Sequence, residues 1–165
     1  MLSNVVDVDF EAMKISLKHP HGAVVLFDFA ATFPSVSQEY MWEVLHHIGL
    51  PQEVILAIQT LYVNNDHFVK VKGGIYPGFV ATSGVRQGCP LSPLLFAIVA
   101  DVLLRRPALM IPSCLVRALA DNTAVVVSDF ANCAHDLLGV FREFARISNL
   151  HFNLSKNCVD PVVGV

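Results

Sequence analysis

Charged residues are scarce in this sequence. Only 15% of its 165 residues are Asp, Glu, Lys or Arg, whereas an ordinary soluble domain has about 25%. Hydrophobic residues make up 54%, and the mean hydropathy is +0.55. The chain is long enough for one domain with a substantial core. Because so little charge would leave its surface poorly solvated, we expect further domains or partner proteins to cover part of that surface.

The sequence also lacks a basic excess. It has 11 Lys and Arg residues against 14 Asp and Glu, which gives a net charge of −3. A free-standing nucleic-acid-binding domain usually carries excess positive charge, because phosphate neutralisation supplies most of its affinity. Any basic groove for a nucleic acid would therefore have to be built with segments outside this chain.

Metal-binding and targeting patterns are missing as well. No two of the four cysteines form a CxxC pair, and their spacing does not match a zinc site. We expect buried free thiols in an intracellular, reducing compartment. No basic stretch leads into a long apolar run, so no signal peptide is predicted. The most apolar window, residues 94–111, contains Asp101, Arg105 and Arg106. It is therefore predicted to be a buried helix, with no transmembrane segment in the chain.

A polar loop with two glycines occupies residues 83–91 and leads into this apolar helix. Gly84 and Gly88 suit positive φ angles and close approach to a ligand. Ser92 is predicted to cap the helix, which should end at Arg106 before a proline. Arg86 and Gln87 then lie on a rigid turn, directed away from the helix.

Several further elements follow from local patterns. The spacing of Phe10, Met13 and Leu17 predicts a short helix ending near residues 19–20. Residues 67–72 and 75–80 predict a half-buried hairpin around two glycines.

Residues 23–27 form a continuous apolar run, typical of a strand buried on both faces, and this run ends at Asp28. A carboxylate there is costly unless it meets a cation or solvent. Residues 114–119 and 123–128 predict a second hairpin, with Asp121 and Asn122 in its turn.

Four stretches, in a fixed order, resemble motifs of one enzyme family. Residues 84–96 (GVRQGCPLSPLLF) resemble the template-contacting motif of reverse transcriptases, in the form carried by non-LTR retrotransposons. Residues 27–36 (FDFAATFPSV) resemble the family's motif A, and residues 119–122 (LADN) resemble its Tyr-Ala-Asp-Asp motif. Residues 151–158 (HFNLSKNC) are similar to its fourth motif, in which a lysine closely follows an asparagine.

The resemblance implies an α+β fold, a reverse-transcriptase-like palm whose antiparallel sheet is backed by helices. Residues 1–22 would be an N-terminal segment, and residues 23–165 the palm domain. Sequence that matches the family's fingers and thumb is largely absent. By ancestry the partners would be an RNA template, a DNA primer and a deoxynucleoside triphosphate.

The resemblance also implies roles for individual residues. Two magnesium ions about 4 Å apart would be held jointly by three groups, namely the carboxylates of Asp28 and Asp121 and the backbone carbonyl of Phe29. Lys156 would approach the nucleotide phosphates. The nucleotide and template would be contacted by four residues: Phe33, which would stack under the sugar, and Arg86, Gln87 and Gly88.

Three positions depart from the family pattern. Asn122 stands in place of the second, metal-binding aspartate, Leu119 in place of the tyrosine, and Pro34 where many relatives carry an acidic residue. A neutral amide weakens a site that faces two divalent cations. We therefore expect a catalytically impaired or inactive enzyme, with Asn122 as the degenerate member of the catalytic set. The alternative is a non-catalytic structural or accessory subunit packed into a larger assembly.

Overall fold

The computed structural model describes residues 2–111, 114–119, 122–153, 156 and 158–162. Its helices are α1 (Leu2–Ser16), α2 (Thr32–Ser35), α3 (Gln38–His47), α4 (Gln52–Thr60), α5 (Ser92–Met110) and α6 (Phe130–Ser148). Its strands are β1 (Ala23–Asp28), β2 (Asp66–Val71), β3 (Gly74–Val80), β4 (Leu115–Leu119), β5 (Asn122–Val127) and β6 (Cys158–Pro161). The predicted α+β class is confirmed.

Four of these strands form one antiparallel sheet in the order β4-β5-β1-β6. The predicted hairpin of residues 114–128 is present as β4 and β5, but Asn122, which was predicted in the turn, is the first residue of β5 and pairs with Leu119. Strand β5 also pairs along the whole length of β1. The register matches Ala23 with Val127 at one end and Asp28 with Asn122 at the other. The sheet therefore brings the end of β1 beside the start of β5.

Both faces of β1 are covered, as its apolar run predicted. Ala23, Val25 and Phe27 are buried in the main core with helices α3 to α6. On the opposite face, Val8 and Ile15 of α1 pack with buried alanine and valine side chains of β5. Helix α1 thus lies against the same sheet that carries Asp28, and the division of the chain at residue 22 stays a prediction.

Helix α1 is present, but it ends at Ser16 and not near residues 19–20, and the residues that formed the apolar pattern are not in the core. Phe10, Met13 and Leu17 are all largely exposed. The helix turns its other face, with Val8 and Ile15, to the sheet. The apolar spacing therefore predicted a helix here but did not predict which of its faces packs against the sheet.

Two predicted boundaries of α5 are wrong. The residue before the helix is Leu91, and the Ser92 hydroxyl instead donates a hydrogen bond to the Arg86 carbonyl at 2.5 Å. The helix also continues past Arg106, through the buried Pro107, to Met110. The Pro107 carbonyl still accepts a hydrogen bond from the Ile111 amide at 2.8 Å, so packing and this bond hold the last turn together.

The predicted hairpin of residues 67–80 is present as β2 and β3, but it is exposed and not half-buried. Its apolar side chains, among them Phe68, Ile75 and Phe79, face solvent. Within the described part of the chain, no helix combines the length and the apolarity needed to cross a membrane.

Candidate active site

Asp28 lies where the buried strand β1 opens into a cleft. Its side chain is only 14% exposed. Its carbonyl accepts a hydrogen bond from the Asn153 amide at 2.9 Å, and Phe29 forms a β-bridge with Phe152. These contacts hold residues 151–153 beside the end of β1, so the fourth motif lies directly against motif A.

Asn122 is the neighbour of Asp28 on the other side. The two residues are directly paired in the antiparallel ladder of β1 and β5, and both line the cleft. The side chains of such a pair are about 5 Å apart at Cβ. Asp121, the other predicted metal ligand, lies outside the described residues, and the side chain of Leu119 is not described either.

Lys156 forms an ion pair with Asp28. Its ammonium nitrogen Nζ lies 3.4 Å from the Asp28 carboxylate oxygen Oδ2, while its own side chain is 67% exposed. The Lys156 amide donates a hydrogen bond to the Asn153 carbonyl at 3.0 Å. Because Asn153 is itself bound to Asp28, this turn fixes the lysine next to the carboxylate.

The cleft above Asp28, which we call the Asp28 cleft, has a volume of about 1010 Å³. Its apolar wall is formed by Phe33 and by α5 residues that include Phe96, Ala97 and Ala100. Phe33 and Phe96 pack with ring centroids 5.0 Å apart. The cleft therefore combines an apolar wall, suited to a flat ring or sugar, with polar groups at Asp28, Asn122 and Lys156.

The loop of the template-contacting motif is tied to motif A by backbone hydrogen bonds. The Gly84 amide donates to the Val36 carbonyl at 2.7 Å, and the Val85 amide donates to the Phe33 carbonyl at 2.9 Å. Gly84 has φ +83°, and a Cβ atom on it would lie 2.6 Å from the Pro34 carbonyl oxygen. Gly88 has φ +85° but open space around it. The prediction of positive φ angles at both glycines is confirmed.

Arg86 faces a second groove, which we call the hairpin groove, between this loop and the β2–β3 hairpin. Its guanidinium donates two hydrogen bonds, of 3.1 and 2.9 Å, to the side-chain oxygen of the buried Asn65. The hairpin groove has a volume of about 740 Å³, and Gln87 lines both it and the Asp28 cleft. Gly88 follows on the same exposed turn. Asn65 was missed from sequence because nothing in its neighbourhood signals a partner 21 residues away.

The described oxygen donors of the Asp28 cleft suit a hard cation. They comprise the Asp28 carboxylate, the Asn122 side-chain carbonyl and the backbone of Phe29, whose carbonyl accepts a long hydrogen bond from the Thr32 hydroxyl at 3.4 Å. Magnesium prefers oxygen ligands of this kind. Among the residues with described positions, no three His, Cys, Asp or Glu side chains are grouped so as to hold a metal ion. Asp28 is thus the one carboxylate among these donors.

Comparison with known protein families gives a match over most of the chain. The family described as reverse transcriptase (RNA-dependent DNA polymerase) matches residues 4–159. The chain belongs to the reverse transcriptase family. The matched region includes most of α1, nearly all of the sheet, the Asp28 cleft and the loop at residues 84–96, so the match extends far beyond the four motifs.

The curated relatives confirm the non-LTR type. The chain is 32% identical, over 103 residues, to the Retrovirus-related Pol polyprotein from type-2 retrotransposable element R2DM of Drosophila melanogaster. It is 39% identical, over 87 residues, to the corresponding polyprotein from type-1 retrotransposable element R2 of Nasonia vitripennis. These alignments cover 62% and 50% of this chain but only 10% and 8% of the relatives. The reverse transcriptase domain described here thus matches a small part of much longer proteins.

Solved telomerase structures share the fold. Apo telomerase from Candida tropicalis superimposes with a TM-score of 0.75 over 96% of this chain and 32% of its own length, at 13% identity. Telomerase from Candida albicans, in complex with a fragment of telomeric RNA, gives a TM-score of 0.66 over 95% of this chain and 30% of its own, at 15% identity. The predicted reverse-transcriptase-like architecture is confirmed at the level of the fold.

Proposed function

We propose that the Asp28 cleft is a nucleotide-addition site for RNA-templated DNA synthesis in which catalysis is strongly reduced or lost. The observation that carries this proposal is the direct pairing of Asp28 with Asn122. The family pattern has an aspartate at the second position, so the substitution removes one negative charge beside Asp28. A site that must stabilise divalent cations and a developing alkoxide is weakened when a charged ligand becomes neutral.

In this proposal the remaining residues keep their family roles. Asp28, Asp121 and the Phe29 carbonyl would hold magnesium, for which the described oxygen donors are of the right type. Magnesium, when bound, activates the primer 3′-hydroxyl and neutralises charge on the triphosphate. Lys156 would attract the phosphates, and Phe33 would support the sugar on the apolar wall of the cleft.

The template would run over the loop that carries Gly84 and Gly88. Gln87 lines both the Asp28 cleft and the hairpin groove, which makes it the link between a nucleotide on one side and a template strand on the other. Arg86 and Gly88 lie on the same turn. The exposed backbone of this turn would let a template phosphate or base approach closely.

Primer extension on an RNA template in magnesium tests the proposal. Native protein, Asn122→Asp and Asp28→Ala are compared at equal concentration. The native chain should extend the primer at or near background, and Asn122→Asp should raise the rate by about 10²–10³-fold, the usual size of one electrostatic contribution in an active site. Robust extension by the native chain that Asp28→Ala abolishes would contradict the loss of catalysis. An Asn122→Asp variant no faster than native would contradict the role given to Asn122.

A second candidate function is a non-catalytic subunit of a larger assembly, and exposed apolar residues favour it. Phe10 and Met13 on α1 and Leu17 just after it are exposed, as are Phe68 and Ile75 on the hairpin. Exposed apolar residues mark protein contact sites where they form a contiguous patch. Sedimentation velocity of native protein and of Met13→Glu gives a first test. Concentration-dependent association that Met13→Glu abolishes would support it, whereas a monomer at all concentrations would oppose self-assembly through α1.

A further inference from the structure

Lys156 and Asp28 form an ion pair whose two partners differ greatly in exposure. The Asp28 side chain is 14% exposed and that of Lys156 is 67% exposed, with Nζ and Oδ2 separated by 3.4 Å. A carboxylate withdrawn from water is costly without a cation beside it, whereas an exposed ammonium regains its hydration when it moves away. Asp28 therefore depends strongly on the ion pair, whereas Lys156 can move away from it at little cost.

The backbone around the pair is arranged to keep the lysine at this place. The Asn153 amide is bound to the Asp28 carbonyl, and the Lys156 amide is bound to the Asn153 carbonyl. The turn is thus attached to the residue whose side chain the lysine neutralises. The ammonium can leave the carboxylate by rotation of the lysine side chain alone, without breaking these two hydrogen bonds.

The ammonium of Lys156 lies in the cleft in which the proposed metal ion would bind. Asp28, Asn122 and Lys156 all line the same cleft. Since Asn122 is neutral, the proposed site has one carboxylate fewer than the family pattern, and its attraction for a divalent cation is weaker. A cation therefore displaces Lys156 from Asp28 less easily than it would if residue 122 were also an aspartate.

We propose that Lys156 is the built-in counter-ion of Asp28, which a divalent cation must displace in order to bind in the Asp28 cleft. Lys156 then has two alternative partners, the Asp28 carboxylate and an anion such as a triphosphate. A triphosphate that attracts the ammonium frees Asp28 for a cation, so the two ligands favour each other's binding. This inference rests on the proposed role of Asp28 as a metal ligand.

Manganese binding followed by electron paramagnetic resonance tests the displacement directly, with Mn²⁺ as the probe and no substrate present. Lys156→Gln should bind Mn²⁺ about fivefold more tightly than native protein, the effect expected from removal of a partly exposed ion pair. Lys156→Arg keeps the positive charge and should bind as the native chain does. Lys70→Gln removes the same charge from the exposed hairpin and controls for net charge. Thermal melting should report the same order, with the largest Mn²⁺-induced rise in Tm for Lys156→Gln.

The variants also separate this inference from the proposed function. Asp28→Asn should lose the Mn²⁺ site, and if it binds as native does, the proposed metal role of Asp28 fails. A different outcome is that Asp28→Asn loses the site while Lys156→Gln binds Mn²⁺ no more tightly than Lys70→Gln does. In that case the displacement of Lys156 by the cation is overturned, and the metal role of Asp28 stands. If neither native protein nor Lys156→Gln binds Mn²⁺, a displaceable counter-ion is likewise overturned.

Discussion

Asp28 and Asn122 are directly opposed at the open end of the β1–β5 ladder, where both side chains line the same cleft. In an antiparallel sheet such a pair behaves as one unit, because its side chains are near neighbours and like charges there repel. The neutral amide at position 122 therefore has two effects. It removes repulsion from Asp28, and it removes a ligand for a divalent cation.

Asn122→Asp should make the folding stability depend on divalent cations. Without them, two opposed carboxylates should lower the free energy of unfolding by about 1 kcal/mol relative to the native chain. With Mg²⁺, the variant should regain this loss, because a bound cation favours the folded state that holds its ligands together. Urea denaturation in EDTA and in Mg²⁺, at matched ionic strength, measures both effects. An equal response of both proteins to Mg²⁺ would contradict a cation site at this pair.

The two glycines of the template-contacting loop provide a matched pair of substitutions. Both have φ near +85°, but only Gly84 has backbone atoms of Pro34 within 3 Å of an added Cβ. Gly88→Ala should cost about 1–2 kcal/mol, the cost of a left-handed alanine. Gly84→Ala should cost roughly 1–3 kcal/mol more, because an overpacked contact is added to the same strain. Urea denaturation gives the two free energies, and equal values would show that the loop can move away from Pro34.

Much of the site was predictable because its residues lie in short ordered motifs. A buried apolar run identified β1 and placed Asp28 at its end, and glycines at positions 84 and 88 indicated the positive φ angles that the loop has. These features depend on neighbours in sequence. The resemblance placed Lys156 in the same site as Asp28, but the ion pair between them was not predicted, since a lone lysine carries no signal of a partner 128 positions earlier.

Features that depend on residues far apart in the sequence were not predictable, because no local pattern indicates such partners. The contact of Arg86 with Asn65 depends on where the β2–β3 hairpin lies, and that position is set by tertiary packing. Helix α5 passes through Pro107 because burial of the proline offsets the lost hydrogen bond. The apolar periodicity predicted helix α1 but not the face that packs against the sheet, because apolar residues occur on both sides of this helix.

The cysteines should react with an alkylating reagent at very different rates. Burial and, to a smaller degree, the nearby Cys133 thiol raise the pKa of Cys114 to about 12. Only about one Cys114 thiol in ten thousand is then ionised at pH 8, and the thiolate is the reactive form. Cys158 is exposed and should be modified well before Cys114. Mass spectrometry after timed iodoacetamide treatment measures the order, and all four cysteines should react alike in urea.

Asp160 offers a specific check on Cys158. The thiol donates a hydrogen bond to the Asp160 carboxylate at 3.4 Å, and this bond together with the negative charge raises the pKa of Cys158. Asp160→Asn should therefore lower the pKa, increase the thiolate fraction at pH 8 and speed alkylation of Cys158. The rate at Cys114 should stay the same and serves as the internal control. A slower or unchanged rate at Cys158 would contradict the effect of the Asp160 carboxylate on the pKa of this thiol.

Asn65 should control the attachment of the hairpin to the loop that carries Arg86. Its side-chain oxygen accepts both guanidinium hydrogen bonds, and its carbonyl accepts one from the Ala81 amide at 3.0 Å. Asn65→Ala should cost about 1.5–3 kcal/mol, the usual contribution of hydrogen bonds to a charged group. Asn65→Asp keeps the acceptor and adds a charge, so it should retain or increase stability.

Hydrogen exchange can show where the loss from Asn65→Ala occurs. If Asn65 links the hairpin to the loop, the amides of β2 and β3 should exchange faster in Asn65→Ala, while those of β1 and β5 should keep their protection, because local opening follows local contacts. Asn65→Asp should leave both groups of amides protected. Faster exchange throughout the sheet would instead mean that Asn65 supports the whole fold. In that case the guanidinium contact would not be a local attachment of the hairpin.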